Sequence, residues 1–123
     1  MIISIIGMGS IGQRHFKNLI LFKDKYKIKQ IKAYEFNREK IFLLKKKFKN
    51  FLITDNFAEA VRHSDVVYIC SPTNLHNNTI LKVLKYSNPH FYIEKPLSSS
   101  IDKCREILNK IKSTKKKLLL DIC

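Results

Sequence analysis

Glycine and proline are scarce, three of each in 123 residues, so the chain is neither a linker nor a low-complexity tail. Cysteine is equally rare. Cys70, Cys104 and Cys123 form an odd, widely spaced set without a CxxC pair, which excludes a disulfide framework and predicts reduced thiols that serve packing. Long apolar runs are missing as well. The longest, 1–6, 65–70 and 118–120, fall far short of the ~20 residues a membrane-spanning helix requires. No basic stretch precedes the N-terminal apolar run and glycines follow it at once, which is not the layout of a secretory signal, so a cytoplasmic location is expected. Acids are outnumbered, 10 against 24 basic residues, for a formal net charge of +14. Twenty of the 24 are lysines, and the runs at 45–49 and 115–117 sit where a helix ends and a strand begins. Without clustered arginine or an aromatic–basic stripe this reads as solvated surface that helps capture an anionic cofactor, and no nucleic-acid partner is expected.

What is present is a 45% hydrophobic composition, and a chain of this size buries roughly two thirds of its unfolded surface, enough for one domain over 1–123 without a staple. The apolar run Ile2–Ile6 ending at Gly7 reads as a strand buried on both faces. Further strands are expected at 28–36, 51–54, 65–70, 90–94 and 117–122. Helices are expected at 11–22, 38–48, 56–62, 75–86 and 101–112, with Ile41, Phe42, Leu44 and Phe48 turned inward on the second. On the last, Ile101, Cys104, Ile107, Leu108 and Ile111 are expected to face the core. Six alternations of strand and helix predict an α/β, Rossmann doubly wound parallel six-stranded sheet with helices on both faces. The expected order is 3-2-1-4-5-6, and ligands then sit where the order reverses, between strands one and four.

Three loops fall at that edge. The first, Gly7-Met8-Gly9-Ser10-Ile11-Gly12, follows strand one and opens a helix. Gly7 permits the tight turn, Gly9 lets the backbone approach a pyrophosphate, and Gly12 lets helix and strand pack closely, while free N–H groups and the helix dipole hold the phosphate charge. Strand, motif, helix and second strand in register predict a dinucleotide site. Glu35, 23 positions beyond Gly12, ends strand two, where a carboxylate accepts both hydroxyls of an adenosine ribose and repels a 2′-phosphate, favouring NAD over NADP. Arg38 is the competing signal, because a guanidinium there stacks on adenine or pairs with a 2′-phosphate. His15, His63 and His90 show no HxxxH or paired-cysteine spacing, and no metal is expected.

The remaining loops are Ser71-Pro72-Thr73-Asn74-Leu75-His76 after strand four and Glu94-Lys95-Pro96-Leu97 after strand five. With the glycine motif and its following basic residue and His15, they resemble the Gfo/Idh/MocA oxidoreductases over essentially the whole chain. The resemblance implies an NAD(P)-binding domain in which Lys95 lies beside the nicotinamide and the reacting carbon as an acid/base or orienting donor. It also implies that Ser71 and Pro72 belong to the coenzyme site, that Thr73 and Asn74 line its nicotinamide side, that His76 shapes that loop, that Glu94 bonds the nicotinamide ribose or orients Lys95, and that Pro96 fixes the turn. Substrates would be hydroxyl or keto groups of a sugar, cyclitol or sugar nucleotide. Family members continue into a second α/β domain that supplies most substrate contacts. The expectation for this chain is therefore a truncated or split enzyme that is inactive alone, with self-association through apolar surface left bare near strands five and six. The alternative is a freestanding nucleotide-binding module with a regulatory role.

Overall fold

The computed structural model describes residues 1–120. Six parallel strands, β1 (Ile2–Ile6), β2 (Gln30–Tyr34), β3 (Leu52–Thr54), β4 (Val66–Ile69), β5 (His90–Ile93) and β6 (Leu118–Leu120), form one sheet in the order β3-β2-β1-β4-β5-β6. The helices are α1 (Ser10–Leu21), α2 (Arg38–Lys47), α3 (Phe57–Val61), α4 (His76–Leu84) and α5 (Ile101–Ser113). β1 pairs with both halves, Ile3 opposite Ile31 on one side and Val66 on the other, so the strand order reverses between β1 and β4. The doubly wound expectation is met in topology and order.

Alternation along each strand sends successive side chains to opposite faces, and two cores result. Ile3, Ile5, Ile31, Ala33 and Ile53 pack under α1 and α2 with Phe16, Ile41 and Leu44. On the other face, Val67, Ile69, Phe91 and Ile93 pack under α3, α4 and α5 with Ala60, Ile80, Val83, Ile107 and Ile111. Local signals set the helix starts: Asn37, Asn56 and Ser100 each accept a hydrogen bond from the backbone N–H three residues on, at 3.1, 3.1 and 3.2 Å. Lys45, Lys46 and Lys47 occupy the last turn of α2, where positive charge offsets the helix dipole.

Several expectations are corrected in detail. Ile101 and Leu108 are exposed and Cys104 only half-buried, because α5 flanks the sheet margin and touches the core through the i, i+4 pair Ile107 and Ile111 alone. Phe42 is exposed for the same reason on α2. The fourth helix does not start smoothly at 75: Thr73–Leu75 is a 3-10 turn, and the α-helix begins at His76. The extension of the sixth strand to 122 and the packing role of Cys123 lie outside the described residues. No helix among those residues is long and apolar enough to cross a membrane.

Candidate functional site

The glycine loop fills the turn from β1 to α1. Gly7 adopts φ +95, and a Cβ there would lie 2.9 Å from the Cys70 carbonyl and the Ser71 nitrogen. At Gly12 a Cβ would overlap the Gly7 carbonyl oxygen, so the first turn of α1 rests directly on the loop. Gly9 differs from both: a Cβ built on it meets nothing within 4 Å. It also heads α1 with no side-chain cap and no acid in the first turn, which leaves the positive end of the helix facing open space.

That space is a cleft of about 680 Å³ at the carboxyl edge of the sheet, where the strand order reverses. Gly7, Gly9, Ser10 and Ile11 line one side, Glu35 the far end, and Ser71 and Pro72 the opposite wall. Glu35 is 4% exposed and its carboxylate is held in place by backbone donors. Met8 N–H reaches Oε2 at 3.2 Å, while Phe36 and Asn37 N–H reach Oε1 at 3.1 and 3.2 Å. The Lys40 ammonium stands 3.5 Å from Oε2. Arg38 is turned away, its side chain 90% exposed and its Nε donating to Asp55 at 3.1 Å, and it does not line the cleft.

Sequence reasoning missed part of the wall. Leu75, ending the 3-10 turn, and Asn78, Thr79 and Lys82, on one face of α4, line the cleft, a 75, 78, 79, 82 spacing that was legible as helical periodicity. Tyr34 and Phe57 add an aromatic margin, edge to face at 5.0 Å, with the Lys82 ammonium 4.3 Å above the Phe57 ring. The Ser71 hydroxyl is buried behind that wall without a hydrogen-bond partner.

The loops after β4 and β5 are tied to one another beside the cleft. His76 is buried, with Nε2 2.7 Å from the Ser71 carbonyl oxygen and Nδ1 3.1 Å from that of Leu97, so one ring spans both loops. Thr73 and Asn74 sit in the 3-10 turn and do not line the cleft. Glu94 engages His15, Nε2 to Oε1 at 2.5 Å, rather than Lys95, and the His15 ring stands edge-on to Tyr68 and Tyr92, each at 5.3 Å. Together with Cys70 Sγ these donor atoms lie within 4.8 Å of one another, a grouping of three distant chain segments that no local spacing could reveal. Lys95 is exposed past the end of β5, joined to Pro96 through a cis peptide, and lies outside the cleft lining.

A parallel sheet reversing at β1, a glycine turn opening a helix and a carboxylate ending β2 define a dinucleotide-binding Rossmann domain. The sequence profile of an oxidoreductase family with an NAD-binding Rossmann fold matches residues 1–122, and the chain belongs to that family, the Gfo/Idh/MocA oxidoreductases. It is 31% identical over 106 residues to the uncharacterized oxidoreductase YrbE of Bacillus subtilis, a match covering 85% of this chain and 30% of that protein. The apo scyllo-inositol dehydrogenase of Lactobacillus casei superposes with a TM-score of 0.77 at 25% identity, over 98% of this chain and 36% of that one. The WlbA dehydrogenase of Chromobacterium violaceum, solved with NADH and UDP-GlcNAcA, superposes with a TM-score of 0.83 at 16% identity, over 98% and 34%. The chain thus spans about a third of the length of the relatives it matches.

Proposed function

We propose that the chain binds a nicotinamide dinucleotide, NAD in preference to NADP, as the coenzyme-holding part of a dehydrogenase acting on a hydroxyl or keto group of a sugar, cyclitol or sugar nucleotide. The observation that carries this reading is Gly9: its missing side chain leaves the uncapped start of α1 open to the cleft, the cradle a diphosphate requires. Glu35 supports the adenosine end. Backbone donors fix its carboxylate at the cleft, where it accepts ribose hydroxyls. Ser71 and Pro72 close the opposite wall. The substrate class rests on family membership and on the cyclitol and sugar-nucleotide enzymes among its relatives.

The bound coenzyme supplies the hydride acceptor and donor. The chain's own residues orient it and manage the proton. In this reading Lys95 Nζ takes the proton of the substrate hydroxyl during oxidation and returns it during reduction, which requires the substrate to be held in near-attack geometry. His76 sets the distance between the loops that carry Ser71 and Lys95 by bridging their carbonyls. The His15–Glu94 pair keeps the Glu94 carboxylate turned toward α1, so its part is to shape the loop that presents Lys95 rather than to bind Lys95 directly. Relatives are about three times longer, and we propose that residues 1–123 by themselves hold coenzyme without turning over polyols until a substrate-binding wall is supplied.

Calorimetric titration of the folded chain with NADH tests the coenzyme reading. Saturable binding at micromolar to millimolar coenzyme is expected. A folded sample that gives no saturation with NADH or NADPH even at about 10 mM, a free energy under roughly 3 kcal/mol, overturns it.

A further inference from the structure

The end of β4, the end of β5 and the second turn of α1 meet beside the cleft, and each brings a metal-ligating group there. Cys70 and Glu94 follow the paired residues Ile69 and Ile93, so they are neighbours on adjacent parallel strands. Alternation puts both side chains on the sheet face of Tyr68 and Tyr92. His15 reaches that face from α1, its ring edge-on to both tyrosines. One ring nitrogen of His15, Cys70 Sγ and a Glu94 carboxylate oxygen lie within 4.8 Å of one another, the only such grouping of three among the described residues. The backbones beneath them are fixed. Cys70 N–H donates to the Ile6 carbonyl at 2.8 Å, Glu94 N–H donates to the Ile69 carbonyl at 3.0 Å, and Gly12 seats α1 on the Gly7 loop. The His15 and Glu94 side chains are 18% and 17% exposed, so an ion has a way in.

We propose that this cluster is a three-ligand site for a divalent ion of the zinc class. The inference stands apart from the coenzyme reading, and either can fail without the other. Imidazole, thiolate and carboxylate are donor types that zinc takes, and three protein ligands leave a fourth position for water. Around such an ion the three donor atoms stand about 3.4–3.6 Å apart. His15 Nε2 and Glu94 Oε1, now 2.5 Å apart, part by roughly 0.9 Å and the sulfur closes by up to about 1.2 Å, movements that side-chain rotation supplies. Charge favours the exchange, because a thiolate and a carboxylate neutralise a divalent ion and the half-buried centre carries no net charge. The thiol proton leaves to solvent, and the proton between His15 and Glu94 leaves or moves to the other ring nitrogen. The ion then ties β5 to α1 in that proton's place and fixes the start of the loop that carries Lys95. The net charge of +14 repels cations at long range, so only ions that gain from sulfur and nitrogen ligation bind, and magnesium and calcium do not.

The test is cobalt(II) titration of the reduced, chelator-treated chain followed by absorption, with zinc then displacing the cobalt. Expected are one cobalt per chain, a sulfur-to-cobalt charge-transfer band, the visible bands of four-coordinate cobalt, and zinc binding with a Kd tighter than about 0.1 mM. Cys70→Ala should abolish the charge-transfer band and weaken zinc about a hundredfold, and Glu94→Gln should weaken it about tenfold. The Cys104→Ala/Cys123→Ala chain, in which Cys70 is the one remaining cysteine, should retain the band. Zinc should raise the thermal midpoint, and magnesium at about 10 mM should not. Loss of the band in the Cys104→Ala/Cys123→Ala chain, its persistence in Cys70→Ala, or zinc binding weaker than about 0.1 mM to the unaltered chain overturns the inference and leaves His15 and Glu94 as a hydrogen-bonded pair only. Should Cys70→Ala not fold, His15→Ala takes its place: a band and cobalt affinity unaltered there overturn the inference equally. NADH titration of the same chelator-treated chain reads the coenzyme proposal separately.

Discussion

Three glycines in one motif carry three different physical demands, and substitution separates them. Gly9→Ala adds a methyl into open space at an N-terminal position with φ −70, so the fold should be retained while coenzyme affinity falls about tenfold or more as the methyl meets the diphosphate. Gly12→Ala forces Cβ into the Gly7 carbonyl, and a destabilisation of about 2–4 kcal/mol is expected. Denaturant melts read the second effect, and NADH titration of the folded variant reads the first. Equal losses of stability in both variants would show that Gly9 serves the fold rather than a ligand. The motif and the separate demand on each glycine were legible because GxGxxG lies between a strand and a helix; that the Cys70–Ser71 backbone is what closes on Gly7 was not. Lys40 was illegible for a related reason: Arg38 is closer to Glu35 in sequence, and only its capture by Asp55 removes it from the site.

At the scale of elements, β4 and β5 present Tyr68 and Tyr92 as a stacked pair, centroids 4.5 Å apart, on the face that α1 covers only in part. Burial, and secondarily Cys70, raise the Tyr68 phenol above its ordinary value of 10.0. A folded-state value above the unfolded one means that native Tyr68 keeps its proton while the unfolded chain releases it. Its contribution to stability is full below pH 10.0 and is lost as pH rises through the raised native value. Lysines with lowered values, Lys32 and Lys47, slope the other way in the same range, so the contribution is read as a difference. The stability gap between the chain and its Tyr68→Phe variant should shrink from pH 10 upward, and absorbance at 295 nm should lose a late-titrating phenol in the variant. A gap independent of pH would assign the stacking, not the proton, as the source of any difference. Element order and most boundaries could be read from periodicity and caps such as Asn37, Asn56 and Ser100. The outward turn of Ile101, Leu108 and Phe42 could not, because a helix's apolar stripe is wider than the strip a neighbouring layer covers.

For the whole molecule, the two faces of the sheet are unequally covered. α3, α4 and α5 close one face, whereas on the other α1 and α2 lie over β1, β2 and β3 and leave a groove of about 450 Å³ where Val66, Tyr68, Tyr92 and Leu119 meet Phe22 and Tyr26. Leu119 is 59% exposed on β6. We propose that the chain on its own self-associates through this groove, a tendency its net charge of +14 opposes. Sedimentation velocity should find association that grows with concentration and with salt, and Leu119→Lys should reduce it. A strictly monomeric chain at high salt would refute the proposal.

Periodicity, caps and the three loop motifs determined the class of fold, the strand order and the edge at which a ligand belongs. Those features are local, and parallel crossovers leave few ways to assemble them. Tertiary structure alone decided how the site's polar groups are spent: Glu35 on the Met8, Phe36 and Asn37 amides, Glu94 on His15, His76 on two loop carbonyls, and Arg38 on Asp55. Several of these partners come from different strands and helices. Their distances follow from how the layers stack, a quantity that no spacing along the chain encodes.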